Sequence, residues 1–184
     1  MKKLLVVLML VIASSAAAVA AEKILVVDTQ GVFDKTKLGK KYQGIIREYY
    51  ESRKKILDMD ADEIQKLQDE YRKQVQASAL NEKARKDKEE TLSRKLADFD
   101  KKRTDFSAEI DKKRDELSAD FNQVMKDVLK DIAKKEKAAL ILNKTIDIMG
   151  KSEIPSVLYG DEGLDVTDKV VAEMDKKQDA KEAK

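Results

Sequence analysis

Residues 45–149 contain neither a proline nor a glycine, and this uninterrupted stretch constrains the fold more than any other feature of the sequence. Proline breaks a helix interior and glycine weakens it, so their absence permits very long helices. Apolar residues also recur at the three- and four-residue spacing of one helix face, in two successive runs. The first run is Tyr42, Ile45, Ile46, Tyr49, Tyr50, Ile56, Leu57, Ile64, Leu67, Tyr71 and Val75. The second run is Leu92, Leu96, Phe99, Phe106, Ile110, Leu117, Phe121, Val124, Val128 and Ile132.

The segment QASALNEKA separates the two runs and is the best candidate for a break. Ser78 and Asn81 are weak helix formers, and Asn81 followed by Glu82 fits a helix N-cap with an acid in the first turn. Folding back at residues 78–81 lets each helix bury its apolar face against the other. The sequence therefore predicts an antiparallel helical hairpin, with one unbroken helix as the alternative.

Short apolar segments flank the long stretch. Residues 24–27 (ILVV) predict a buried strand, and residues 138–149 (AALILNKTIDIM) predict one or two more. Residues 156–160 (SVLYG) predict a further short strand, and residues 165–174 predict a short helix with Thr167 as its N-cap. The polar end of the chain, residues 176–184, is expected to be disordered.

The predicted fold is mainly α with a small β body. A coiled-coil-like hairpin arm at 34–137, with its tip near 78–81, is inserted between the short strands of a body formed by 21–33 and 138–175. We expect the first strand to pair with residues 139–142, because the hairpin returns the chain to that place. So small a sheet needs further cover, which predicts oligomerisation through the body. The residues expected to form that oligomer body are Ile24, Val26, Leu140 and Leu142.

The N-terminus has the three regions of a secretory signal peptide. Two lysines precede an apolar run, and small residues follow it up to Ala18-Val19-Ala20, which fits an A-x-A cleavage site. A cleaved signal at 1–20 is therefore predicted. A transmembrane anchor is the alternative, but the run is too short for one. The chain has no cysteine, so neither a lipid-anchored cysteine nor a disulfide framework is expected.

The composition argues against several classes of function. Without Lys2 and Lys3 the chain has 36 basic and 36 acidic residues, whereas a general nucleic-acid binder is expected to carry a marked positive excess. Histidine and cysteine are absent, so most nucleophilic and transition-metal sites are not expected. No glycine-rich phosphate-binding loop occurs. We therefore expect no enzyme activity, no cofactor and no nucleic-acid partner.

The tetrad Asp-Lys-Lys-Arg occurs at 100–103 and again at 111–114. This spacing corresponds to about three helical turns, so the two copies stack along one helix. It places Arg103 and Arg114 at the apolar face, where their guanidinium groups are expected to reach acids on the facing helix. We interpret the repeat mainly as a packing pattern.

Four stretches together resemble the Skp (OmpH-like) family of periplasmic chaperones: AEKILVVDTQGVF, the charged hairpin, ALILNKTIDIM and LDVTDKV. The resemblance covers almost the whole chain after the signal. It implies a periplasmic homotrimer joined through a small β-rich body, whose three hairpins enclose a cavity for unfolded outer-membrane proteins. Members of the family are often clearly basic, whereas this chain is neutral after the signal.

The resemblance also implies residues with binding roles. Lys102, Lys112 and Lys113 fall on the positions of a proposed lipopolysaccharide-binding set, so lipopolysaccharide or a membrane surface is a candidate partner. The aromatic residues on the helical faces are candidates either for helix packing or for client contact, and these are Tyr49, Tyr71, Phe99 and Phe106. The leading function is an ATP-independent holdase chaperone. The alternative is a structural or adaptor coiled coil of the cell envelope without chaperone activity.

Overall fold

A computed structural model describes residues 23–148 and 152–183. In chain order the elements are β1 (Lys23–Val27), α1 (Thr29–Lys35), α2 (Lys37–Gln76), α3 (Glu82–Glu136), β2 (Ala138–Asn143), β3 (Thr145–Ile148), β4 (Ser152–Pro155), a 3₁₀ turn (Glu162–Leu164) and α4 (Thr167–Glu182). The prediction of a mainly α fold with long helices and a few short strands is confirmed. The predicted signal peptide at 1–20 lies outside the described residues.

The described chain divides into two compact units. One unit contains residues 23–28, 129–148 and 152–166, and we call it the sheet unit. The other contains residues 29–128 and 167–183, and we call it the arm unit.

A parallel pair of strands forms the centre of the sheet unit. The predicted pairing is present, with Ile24 opposite Leu140 and Val26 opposite Leu142. Asp165 continues the ladder on the other side of β1, where the backbone N–H of Val166 donates to the carbonyl of Val26 at 2.9 Å. The sheet itself thus has two strands, and a single bridge at Val26 adds a partner on the other edge of β1.

The prediction of a strand at residues 156–160 is wrong, because these residues form no strand. The strand β4 instead occupies Ser152–Pro155 and pairs antiparallel with β3, with Ile146 opposite Ile154. Proline lacks the N–H that a strand ladder needs, so the strand ends at Pro155. The apolar residues that follow are left outside any strand.

A short helix, α1, occupies residues that the sequence assigned to the β body. Thr36 separates it from α2: its backbone is extended, and its hydroxyl accepts a hydrogen bond from the N–H of Gly39 at 3.2 Å. Gly39 is needed at this junction, because a Cβ there would lie 1.8 Å from the carbonyl oxygen of Phe33. The glycine that weakens the helix start is thus what lets α1 and α2 pack closely.

The two long helices form the predicted antiparallel hairpin. Their side-chain contacts pair positions that rise along α2 with positions that fall along α3. The pairs are Tyr42 with Asp120, Tyr49 and Arg53 with Glu109, Asp60 with Lys102, Glu63 with Lys95, and Tyr71 with Glu89. At 40 and 55 residues the helices extend about 60 and 80 Å.

Residues 77–81 connect the two helices. Ser78 has a positive φ of 50°, and the N–H groups of Ser78 and Ala79 donate to the carbonyls of Val75 and Gln74. This is the Schellman closure that usually has glycine at the left-handed position. On the other side Asn81 caps α3 as expected, since its side-chain oxygen accepts from the N–H of Ala84 at 2.8 Å.

The expectation of a disordered tail is wrong for most of residues 176–184, because α4 continues to Glu182. Its acidic residues hold the lysines of α1 and of the first turns of α2. The ion pairs are Asp168 with Lys35 at 3.0 Å, Asp179 with Lys37 at 2.7 Å, and Glu182 with Lys41 at 3.6 Å. These partners are far away in the sequence, so composition alone gave no sign of them.

The apolar core of the arm unit is concentrated at one end. We call residues 29–42, 118–128 and α4 the arm base, and residues 45–116 the distal arm. The buried apolar side chains of the arm base are Val32, Leu38, Phe121, Met125, Val128, Val170 and Met174. The rings of Phe33 and Phe121 meet there edge to face, with centroids 5.0 Å apart.

Candidate binding surfaces

The three candidate lipopolysaccharide-binding lysines lie on α3 but do not form one cluster. Lys102 forms an ion pair with Asp60 on α2 at 2.7 Å, and this hydrogen bond is the main cause that raises the pKa of Lys102. Lys113 pairs with Glu116 on its own helix at 3.4 Å. Lys112 is exposed and has no ion pair among the described residues. Ten residues of helix place Lys102 about 15 Å from Lys112 along the axis. The lipopolysaccharide site remains a prediction.

Tyr49 and Phe106 lie at the contact between the two long helices. The guanidinium carbon of Arg53 is 3.7 Å from the centre of the Tyr49 ring and 5.7 Å from that of Phe106. The same guanidinium group pairs with Glu109 at 3.1 Å, and Glu109 also accepts from the Tyr49 hydroxyl. Of the two roles left open by the sequence, this contact favours helix packing for both rings. No local pattern in the sequence marks Arg53, because its partners come from both helices.

Tyr71 and Phe99 occupy two other levels of the hairpin. The Tyr71 hydroxyl donates to Glu89 and accepts from Arg85 Nε at 3.2 Å. The hydrogen bond from Tyr71, and after it the one from Arg85 Nε at 3.1 Å, lower the pKa of Glu89. Phe99 is half-buried beside a groove of mixed charge, where Glu63 pairs with Lys95 at 2.7 Å. Both aromatic side chains therefore lie at the interhelical groove.

The repeated tetrad forms the same ion pair twice. Arg103 pairs with Asp100 at 3.4 Å, and Arg114 pairs with Asp111 at 3.5 Å. The expectation that these arginines reach acids on the facing helix is wrong, because an acid three positions earlier on the same helix is closer. The spacing does place both arginines beside the interhelical groove.

The four predicted oligomer-body residues share one face of the sheet. Ile24 and Val26 are two apart on β1, and they lie opposite Leu140 and Leu142, which are two apart on β2. Three of them are exposed, namely Ile24 at 45%, Leu140 at 48% and Leu142 at 39%, whereas Val26 is buried. On the opposite face Leu25 and Val27 are buried. The sheet thus has one covered face and one largely open apolar face.

More apolar surface continues along the sheet unit. Ile146 and Ile154 are cross-strand neighbours and both are exposed. Leu158 and Tyr159, in the segment after β4, are the most exposed large apolar residues of the described chain. Exposed apolar surface of this kind marks candidate interaction sites when it forms a patch.

The distal arm exposes apolar side chains as well. These residues are Tyr50, Ile56, Met59, Val75 and Leu96. They alternate along the helices with charged residues, most of which form ion pairs within or between α2 and α3. The arm therefore presents separated apolar contacts on a charged, water-soluble surface.

The described residues offer no group of three or more His, Cys, Asp or Glu side chains that could hold a metal ion. In residues 23–148 and 152–183, every helix is too short or too polar to cross a bilayer.

Comparison with known proteins identifies relatives of the fold. Residues 23–174 match the profile of the family described as outer membrane protein (OmpH-like). The crystal structure of a candidate outer membrane chaperone (OmpH-like) from Caulobacter crescentus CB15 superposes with a TM-score of 0.73. It covers 86% of each chain at 13% sequence identity. No curated protein sequence matches the chain.

Proposed function

Because the chain belongs to the OmpH-like family, we propose that it is an ATP-independent holdase chaperone of the periplasm. It binds unfolded outer-membrane proteins and prevents their aggregation. The family consists of periplasmic chaperones and supports a chaperone role in general. The holdase activity, the clients and the export are the parts that we propose.

The observation that carries this proposal is the exposed apolar surface of the distal arm. A holdase needs apolar contacts for unfolded chains and a surface that stays soluble without a client. Ile56 and Met59 on α2, and Leu96 on α3, are exposed among charged side chains that provide this solubility. Burial of each such side chain against a client contributes about 1.5–3 kcal/mol at most, so several weak contacts hold an unfolded chain without fixing its conformation.

We also propose that the open face of the sheet joins three copies of the chain. Ile24, Leu140 and Leu142 are exposed together on this face, and a two-stranded sheet rarely remains stable with such a surface in water. A trimer would cover these side chains and bring three arms together around one client, as the family resemblance implies. Leu142→Glu would place a charge in this interface. Multi-angle light scattering should then show the mass of one chain for the variant and of three chains for the parent.

The central experiment dilutes a denatured outer-membrane β-barrel protein into buffer, with and without a few-fold excess of this chain. Light scattering at 360 nm should stay low when the chain is present and no nucleotide is added. The double variant Ile56→Ser, Met59→Ser should suppress aggregation less well, since both side chains are exposed and their loss leaves the core intact. Lys66→Ser, at an exposed position of the same helix, is the matched control and should act like the parent.

Unchanged aggregation with the parent chain would contradict the holdase function and favour a structural or adaptor role for the hairpin. Equal suppression by the parent and the double variant would instead place client binding elsewhere on the molecule.

A further inference from the structure

A cavity of about 500 Å³ opens in the arm unit between α1, α2 and α3. Its half-buried wall is apolar or aromatic and consists of Phe33, Tyr42, Ile46 and Leu117. This volume is within the range that binds drug-sized ligands. We call this cavity the aromatic niche.

The rim of the aromatic niche is positively charged. Arg47 and Arg114 both line the opening, and none of the residues that line it is acidic. Arg47 is exposed and forms no ion pair within the described part of the chain, while Arg114 pairs only with Asp111 on its own helix. Two other carboxylates are hydrogen-bonded to lining residues: Asp120 accepts from the Tyr42 hydroxyl, and Asp34 accepts from the side-chain amide of Gln43 at 3.1 Å. A guanidinium group without a partner favours a carboxylate or a similar anion.

Tyr50 completes the rim with a ring that is half exposed. Together with Phe33 and Tyr42 it offers aromatic surfaces to whatever enters. Aromatic rings prefer edge-to-face or offset contacts with other rings, and these contacts add to the energy of burial. The wall therefore favours an aromatic side chain, and the rim favours negative charge beside it.

We propose that the aromatic niche binds an aromatic side chain flanked by carboxylates in the unfolded client. This inference rests on the proposed chaperone function and names the client feature that one site of the arm selects. The ring enters between Phe33 and Leu117, and the flanking carboxylates accept hydrogen bonds from Arg47 and Arg114. The exposed apolar residues of the distal arm contact any apolar client segment, whereas the aromatic niche prefers an aromatic side chain flanked by carboxylates.

The test uses three blocked, fluorescently labelled heptapeptides. The first has the central sequence Asp-Phe-Asp, the second Asn-Phe-Asn and the third Asp-Ala-Asp. Fluorescence anisotropy with the full chain should show the tightest binding for the first peptide. Removal of both carboxylates should weaken binding about tenfold or more, since charge-assisted hydrogen bonds are about twice as strong as neutral ones. The alanine peptide should lose most of its binding.

Variants of the chain test whether the peptide binds in the aromatic niche. Arg47→Gln should weaken the first peptide about tenfold and leave the second peptide almost unchanged, because only the first has carboxylates. Arg94→Gln is the matched control, since Arg94 is exposed on α3, pairs with Glu90 and lies outside the niche. Tyr50→Ala should weaken both phenylalanine peptides, and Tyr50→Phe, which keeps the ring, should not. Circular dichroism checks that the variants keep their helices.

Equal affinity for the Asp and Asn peptides, or equal losses from Arg47→Gln and Arg94→Gln, would overturn the proposal. The aggregation assay separates this outcome from failure of the function. If the parent chain suppresses aggregation but does not prefer the Asp-Phe-Asp peptide, the niche is wrong and the holdase function stands. If the chain does neither, the proposed function itself fails.

Discussion

The arm base and the distal arm belong to one unit but are stabilised differently. The base buries seven large apolar side chains contributed by α1, α2, α3 and α4. In the distal arm, residues 45–116, Ile64 is the only buried side chain. There the two helices are joined mainly by half-buried apolar residues, by ion pairs and by the stacking of Arg53 on Tyr49.

This difference follows from geometry. Two helices that pack only against each other leave most of their surface in water, whereas the base adds α1 and α4 as further layers. Regions with few buried contacts open locally at lower free energy than a packed core. We therefore expect the distal arm to change conformation more readily than the base.

The largest expected effect is at the core of the base. Phe121→Ala removes a ring that is 3% exposed and contacts Phe33, so the free energy of unfolding should fall by about 3–5 kcal/mol. Urea denaturation followed by circular dichroism measures this change. Phe99→Ala removes the same ring from a half-buried position of the distal arm and should cost less than half as much. Equal losses would contradict the distinction between the two regions.

The second prediction concerns the one buried side chain of the distal arm. Ile64 is 7% exposed, so Ile64→Ala should lower the free energy of unfolding by about 2 kcal/mol, at the low end for buried isoleucine. Hydrogen exchange should become faster around residues 60–68 and 95–102 but not in the base. Ile56→Ala, at an exposed position of the same helix, should change exchange little. Faster exchange throughout the arm unit would mean that base and distal arm unfold together.

The third prediction concerns Arg53. Arg53→Lys keeps the positive charge but loses the planar group that stacks on Tyr49 and reaches Glu109. The stacking and the hydrogen-bond geometry are specific to arginine, so we expect a loss of about 1 kcal/mol in urea denaturation. Arg94→Lys, at an exposed pair within one helix, is the control and should be nearly neutral. No loss for Arg53→Lys would show that charge alone joins the helices at this level.

The fourth prediction concerns stability at high pH, where Tyr42 of the base titrates. Desolvation, followed by the hydrogen bond to Asp120, raises the pKa of Tyr42 from 10.0 to about 12. The unfolded chain therefore loses this proton near pH 10 while the folded chain keeps it. The contribution of Tyr42 to stability is full below pH 10 and is lost as the pH rises toward 12.

Absorbance at 295 nm should show one of the five tyrosines titrating near pH 12 in the folded chain. Tyr42→Phe should remove this late step and flatten the fall in stability above pH 10. Tyr50→Phe, at an exposed ring, is the control and should leave the step in place. A late step that persists in Tyr42→Phe would assign it to another tyrosine.

Much of the fold could be predicted because its signals are local. The spacing of apolar residues without proline or glycine indicates the two long helices, and Asn81 marks the start of the second. The pairing of β1 with β2 follows from the return of the chain through the hairpin. The continuation of α4 to Glu182 could not be predicted, since its stabilising lysines lie on α1 and α2.

Some features of the candidate surfaces could likewise be predicted from the sequence, and others could not. The residues predicted for the oligomer body, Ile24, Val26, Leu140 and Leu142, lie on one face of the sheet, because side chains two apart along a strand point the same way. Their role in oligomerisation stays a prediction. The pairing of Lys102 with Asp60 was not visible in the sequence, and it separates this lysine from the other two candidates. The aromatic niche was not visible either, since its lining residues come from three helices.

The sequence by itself determined where the two long helices run and which of their side chains point to a common face, because both depend on neighbours within a few residues. The tertiary structure decided which charges are paired, why Gly39 is required and where the unpaired Arg47 meets an apolar cavity. Each of these depends on groups that are distant in sequence and meet only when the helices pack. Long-range contacts of this kind carry no local periodicity, so only the folded chain reveals them.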